Sequence, residues 1–161
     1  MKKYLAAGLT LWASSAVATA LLWQTRAPLA DAHCQVPCGI YDDPARIAQL
    51  REDATTIGKA VDQIRQLGGK HEVLAINQAT RWIMTKEDHA SHIIEVVSLY
   101  FLTQKLKPVP HGDEGHDPYL HALADHHAVM VAAMKTKQTV DPAAVAELNH
   151  AIDALARHYM K

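Results

Sequence analysis

The chain has 161 residues, 49% of them hydrophobic and 20% charged, with a formal net charge of −1. That is one domain's length, too apolar for a disordered chain, and the balanced charge argues against nucleic acid as a partner. Two cysteines cannot build a disulfide scaffold, and eleven histidines point toward metal or proton chemistry.

The N-terminus differs from the rest. Lys2 and Lys3 precede an uncharged run, Leu5 to Trp23, and Ala30-Asp31-Ala32 closes the segment. A positive start, an apolar run and a small-x-small site are the layout of a secretory leader. Residues 1–32 are therefore expected to be removed and the protein exported to the periplasm or beyond the cell. Thr10, Ser14, Ser15 and Thr19 dilute the run, which weighs against a retained membrane anchor. His33 ahead of Cys34 disfavours a lipoprotein site. Without Lys2, Lys3, Arg26 and Asp31, the mature chain has 13 basic and 16 acidic residues.

Residues 43–161 read as helices. Asp43-Pro44 is a start signal, and Ile47, Leu50, Ala54, Ile57, Val61 and Ile64 form one stripe that Gly68-Gly69 ends. Ile76, Ala79, Ile83, Ala90, Ile93, Val97 and Tyr100 keep helical spacing up to Pro108, with a possible second start at Thr85-Lys86-Glu87-Asp88. Asp117-Pro118 and Asp141-Pro142 repeat the start signal. Behind them lie Leu120, Leu123, His127, Met130 and Met134, then Val145, Leu148, Ile152, Leu155 and Tyr159. No segment alternates like a strand. The expected fold is all-α, an antiparallel four-helix bundle.

Residues 33–42 break the helical pattern with His33-Cys34-Gln35-Val36-Pro37-Cys38-Gly39-Ile40-Tyr41. One reading of an exported Cys pair is a Cys34–Cys38 disulfide. The spacing is not that of the usual redox pair, and no Cys-x-x-Cys-His is present for haem. Cleavage after Ala32 would give His33 a free α-amine. Amine, amide, two thiolates and an imidazole would then fall within six residues. Planar nitrogen and thiolate donors suit Ni(II) or Cu(II) better than tetrahedral zinc.

The run HCQVPCGIY resembles the nickel hook of nickel-containing superoxide dismutases, His-Cys-x-x-Pro-Cys-Gly-x-Tyr, at His33, Cys34, Pro37, Cys38, Gly39 and Tyr41. The resemblance implies a four-helix bundle with one nickel per subunit. It implies ligation by the α-amine and imidazole of His33, the amide and sulfur of Cys34, and the sulfur of Cys38. Tyr41 would position superoxide at the open axial face, with Pro37 shaping the hook. It further implies disproportionation of superoxide to O₂ and H₂O₂ through a Ni(III)/Ni(II) cycle and assembly as a homohexamer.

Many members have Asp after the first cysteine, and a Glu and an Arg that steady the axial histidine. Here the positions hold Gln35, Ala48 or Gln49, and His89, so that support must differ. Many members also carry a shorter leader removed by a dedicated protease, which would leave the protein cytoplasmic. The rival functions are an exported nickel or copper carrier using the same hook and a structural bundle with a disulfide.

The remaining histidines His111, His116, His121, His126 and His127 read as scattered surface groups. Glu147-x-x-His150 has no second copy, so a di-iron centre is not expected. Met130, Met134 and Trp82 read as packing residues.

Overall fold

The computed structural model describes residue 35 and residues 37–160. The expected leader (1–32), His33 and Cys34 lie outside the described residues.

Four helices form, α1 (Asp43–Leu67), α2 (Val73–Glu95), α3 (His116–Gln138) and α4 (Pro142–Ala156). No strand occurs among the described residues. Also among them, no helix is long and apolar enough to cross a membrane. The α2 rod does not restart at Thr85. It runs unbroken into a π-helical segment, Val96–Lys105, where Leu106 N–H donates to Phe101 O at 2.8 Å, five residues back.

The start signals hold at two of three sites. Asp42, one residue earlier than expected, caps α1 by accepting from Ala45 N–H at 3.0 Å, which leaves Asp43 in the first turn. Asp141 caps α4 through Ala143 N–H at 2.9 Å. Asp117 caps nothing, because α3 begins one residue before it, after Gly115 at φ +91°. A glycine reaches that left-handed angle without the steric penalty of a Cβ.

Neighbouring helices run antiparallel. Gln49 meets His92 while Asp53 meets His89, and Phe101 meets His126 while Lys86 reaches Thr136. Lys135 pairs with Glu147 while Asp125 pairs with His158, and α1 meets α4 through Arg51 and Asp153. The result is the expected up-and-down bundle.

Its core gathers Ile47, Leu50, Ile57 and Val61 with Ile93, Val97, Phe101, Val129, Leu148, Ile152 and Leu155. The expected stripes hold on α1, on α4 and on the second half of the α2 rod, where Ala90, Ile93, Val97 and Tyr100 are buried, but not on α3. On α3 the buried face is Ala122, His126, Val129, Ala132, Ala133 and Thr136, while Leu120, Leu123 and Met134 are exposed. In the first turns of α2, Ile76 and Ile83 are exposed too. The charge of Lys86 is buried but satisfied. Its Nζ donates to Thr136 O at 2.7 Å, Lys137 O at 2.8 Å and Glu87 at 3.0 Å, which closes the carbonyl end of α3.

Candidate metal centre

The described part of the hook is short and held at its base. Pro37 is half-buried and Cys38 exposed, and Gly39 turns the chain at φ +74°. Nothing lies within 4 Å of where a Gly39 Cβ would stand, so the backbone angle and not crowding demands glycine. Ile40 is exposed, and Tyr41 then anchors the segment. Its ring meets Tyr100 edge-on at 5.7 Å, and Lys105 Nζ sits 4.5 Å from its centroid.

Beneath Tyr41, a polar ladder crosses the α1–α2 interface. Tyr100 OH donates to Asp43 Oδ1 at 2.7 Å, and Lys105 Nζ lies 3.0 Å from Asp43 Oδ2. The Arg46 guanidinium lies 5.3 Å from the Tyr100 ring centroid, and its Nη1 donates to Gln49 Oε1 at 3.0 Å. Gln49 Nε2 meets His92 Nε2 at 3.3 Å. Asp53 ends the ladder, with Oδ2 on His92 Nδ1 at 2.8 Å and Oδ1 on His89 Nδ1 at 2.6 Å. Burial, and then the hydrogen bond and charge of Asp43, push the Tyr100 hydroxyl above its ordinary value, so it stays a donor.

A cleft of about 260 Å³ opens between the hook and this ladder, lined in part by Gln35, Pro37, Arg46, His92, Tyr100 and Gln104. Gln104 donates through Nε2 to Leu99 O at 3.0 Å. Its Oε1 is the buried side-chain atom without a partner among the described residues. The π-helical turn carries it there.

The residues present fit nickel. Cys38 offers an exposed thiol at a tight turn, and the sequence places the His33 and Cys34 donors immediately upstream. Among the described residues no other three His, Cys, Asp or Glu side chains converge on a point.

The surface reading holds for His121 and His127, which are exposed, but fails for His126. His126 is fully buried and bonded to Ala122 O at 2.6 Å and Tyr159 OH at 2.8 Å. Burial leads in pushing its imidazole below the ordinary value, and the neighbouring His158 adds to this. Trp82 packs near Lys59, whose Nζ is 5.9 Å from its ring centroid.

Sequence reasoning flagged Cys38, Tyr41, Gln49 and His89. It missed Asp53, His92, Lys105 and Gln104 as parts of the site. Asp53 gave a signal, since it is a carboxylate on the apolar stripe between Leu50 and Ala54.

Fold and site together define a helical-bundle protein with an exposed cysteine at a tight turn ahead of its first helix. The family model of nickel-containing superoxide dismutase matches residues 28–161, and the chain belongs to that family. It is a superoxide dismutase of the nickel type. No curated protein and no solved structure matches it.

Proposed function

We propose that removal of residues 1–32 exposes His33, and that its α-amine and imidazole, the amide and sulfur of Cys34 and the sulfur of Cys38 hold the nickel. When bound, nickel supplies a Ni(III)/Ni(II) couple that takes an electron from one superoxide and gives it to the next. The chain's residues do the rest. Tyr41 stands at the mouth of the hook to position superoxide and exclude larger molecules, and Lys105 and Tyr100 hold its ring there. Arg46 and Lys105 place two positive charges beside the path of an anionic substrate.

The observation that carries this reading is the exposed Cys38 thiol at the Gly39 turn, just ahead of the clamped Tyr41. The leader's composition supports export of the processed protein. Leu120, Leu123, Val131 and Met134, left exposed on α3, supply apolar surface for a homo-oligomer such as the family's hexamer.

N-terminal sequencing of the active protein, with metal analysis and electron paramagnetic resonance, tests the reading. Expected are a start at His-Cys-Gln-Val, bound nickel and a rhombic Ni(III) signal with apical nitrogen coupling. An intact leader in active protein, or copper in place of nickel, overturns it. Cys38→Ser should abolish turnover while circular dichroism stays helical, because Cys38 is exposed and contributes nothing to the core.

A further inference from the structure

His92 stands between two clefts. It lines the one behind the hook with Gln35, Pro37 and Gln104, and it lines a second, outer cleft of about 360 Å³ with Glu52, Asp53, Asp88 and His89. Among the described residues no other borders both.

Its tautomer follows from its neighbours. A guanidinium carries only donors, so the 3.0 Å bond from Arg46 Nη1 fixes Gln49 Oε1 as acceptor. The Gln49 amide N–H₂ is then left to donate to His92 Nε2 at 3.3 Å. His92 therefore carries its hydrogen on Nδ1 and donates it to Asp53 Oδ2 at 2.8 Å. The other Asp53 oxygen accepts from His89 Nδ1 at 2.6 Å. The Asp53 side chain is 6% exposed, so a buried carboxylate faces two imidazoles with no cation beside it. Such a carboxylate is satisfied by the two imidazole N–H donors it holds. The other titratable groups facing His92 are Arg46 and Glu52 from α1, and Asp88 and Glu95 from α2.

Dismutation consumes two protons for each H₂O₂ released, and imidazole is the side chain suited to taking up and giving a proton near neutral pH. The cleft behind the hook has room for several waters. We propose that His92 is the proton donor of this reaction, acting through water in that cleft, with Asp53 as its counter-ion and His89 as a positioning residue. The step supplies one of the two protons: the imidazolium gives its Nε2 proton to the hydroperoxide anion, leaving H₂O₂ and the neutral Nδ1–H ring, and the other proton comes from solvent. Gln49 then recaps Nε2, and solvent in the outer cleft restores the proton. The proposal rests on the reading of the hook above.

The test uses the processed, nickel-loaded enzyme. His92→Ala should keep its nickel content and Ni(III) signal but lose turnover near neutral pH by about a hundredfold, the low end of what a positioned general acid contributes. Added imidazole should restore it in proportion to the imidazolium present. In the wild type, nitrogen NMR of the reduced enzyme should show His92 protonated at Nδ1, with Nε2 gaining a proton on acidification. Full turnover in His92→Ala at every pH, a loss that imidazole does not restore, or a loss of nickel overturns the proposal. Should the alanine variant not fold, His92→Gln keeps the volume and cannot donate a proton; full turnover in it near neutral pH overturns the proposal equally. A wild type that binds nickel without turning over superoxide contradicts the reading of the hook instead, and the NMR titration still decides whether His92 titrates as described.

Discussion

Tyr100 donates its hydroxyl hydrogen to Asp43 Oδ1 at 2.7 Å, fastening the π-helical end of α2 to the first turn of α1 at the base of the hook. The same ring stacks edge-on with Tyr41 on one side and Phe101 on the other, so one residue joins hook, ladder and core. Tyr100→Phe keeps both ring contacts and deletes only the hydroxyl. Asp43 retains Lys105 at 3.0 Å, so it is not stranded. The expected cost is about 1 kcal/mol, the net value of a partly buried hydrogen bond, seen as a lower midpoint in urea unfolding with unchanged slope. A loss several times larger would mean that the hydroxyl organises the whole first turn of α1.

The alkaline limb of stability carries the same signature. Burial raises the hydroxyls of both Tyr100 and Tyr159 above their ordinary value, with Asp43 adding to each. An acid whose folded value is raised stabilises the fold in full below its unfolded value, near 10, and loses that contribution as pH rises through the folded value. Ultraviolet titration of tyrosinate should therefore show a fraction of the tyrosines ionising together with the loss of helical circular dichroism. Complete ionisation while the bundle stays folded would contradict the burial of these two groups.

At the acid end the sign reverses. His126 is neutral and buried, and burial lowers its folded value below the ordinary one near 6.5. The unfolded chain then binds a proton that the native state refuses. Its contribution is present in full above about pH 6.5 and is lost as pH falls through the folded value. His126→Gln, with no ring to protonate, should be less stable at pH 7.5 yet show a flatter decline between that pH and 5. Parallel declines in the two proteins would show that His126 takes its proton without unfolding.

This histidine also shows where sequence stops being legible. Large apolar residues at helical spacing identify a buried face when they fill a wide gap, as Ile47, Leu50, Ile57 and Val61 do on α1. On α3 the closest approach uses small residues, Ala122, Ala132 and Ala133, and the spacing of Leu120, Leu123 and Met134 points to the other side. Hydrophobic pattern weighs size, whereas close helix packing rewards its absence. The family was legible because its motif is local, six fixed residues in nine positions. The ladder was not, because Asp53 joins His89 and His92 from 36 and 39 residues away, and only the pairing of α1 with α2 brings them together.

Lys105 offers the sharpest test of how the bundle holds the hook. Its Nζ lies 4.5 Å from the Tyr41 ring centroid and 3.0 Å from Asp43 Oδ2, so one ammonium secures both the aromatic anchor and the first-turn carboxylate. It is placed by the last residue of the π-helical segment. Lys105→Met keeps the length and apolar stem but removes the charge. The cation–π contact is worth about 0.5–1 kcal/mol at a partly exposed site, so the fold should survive with a small fall in melting temperature. Tyr41 is 36% exposed and would keep only its edge contact with Tyr100, so its ring signals in NMR should broaden or shift. Turnover should fall more than stability does, because the lost group positions Tyr41 rather than the core. Lys105→Arg stacks a planar cation on the same ring and should recover most of the loss. Unchanged Tyr41 signals in Lys105→Met, with full turnover, would show that Tyr100 alone holds the anchor.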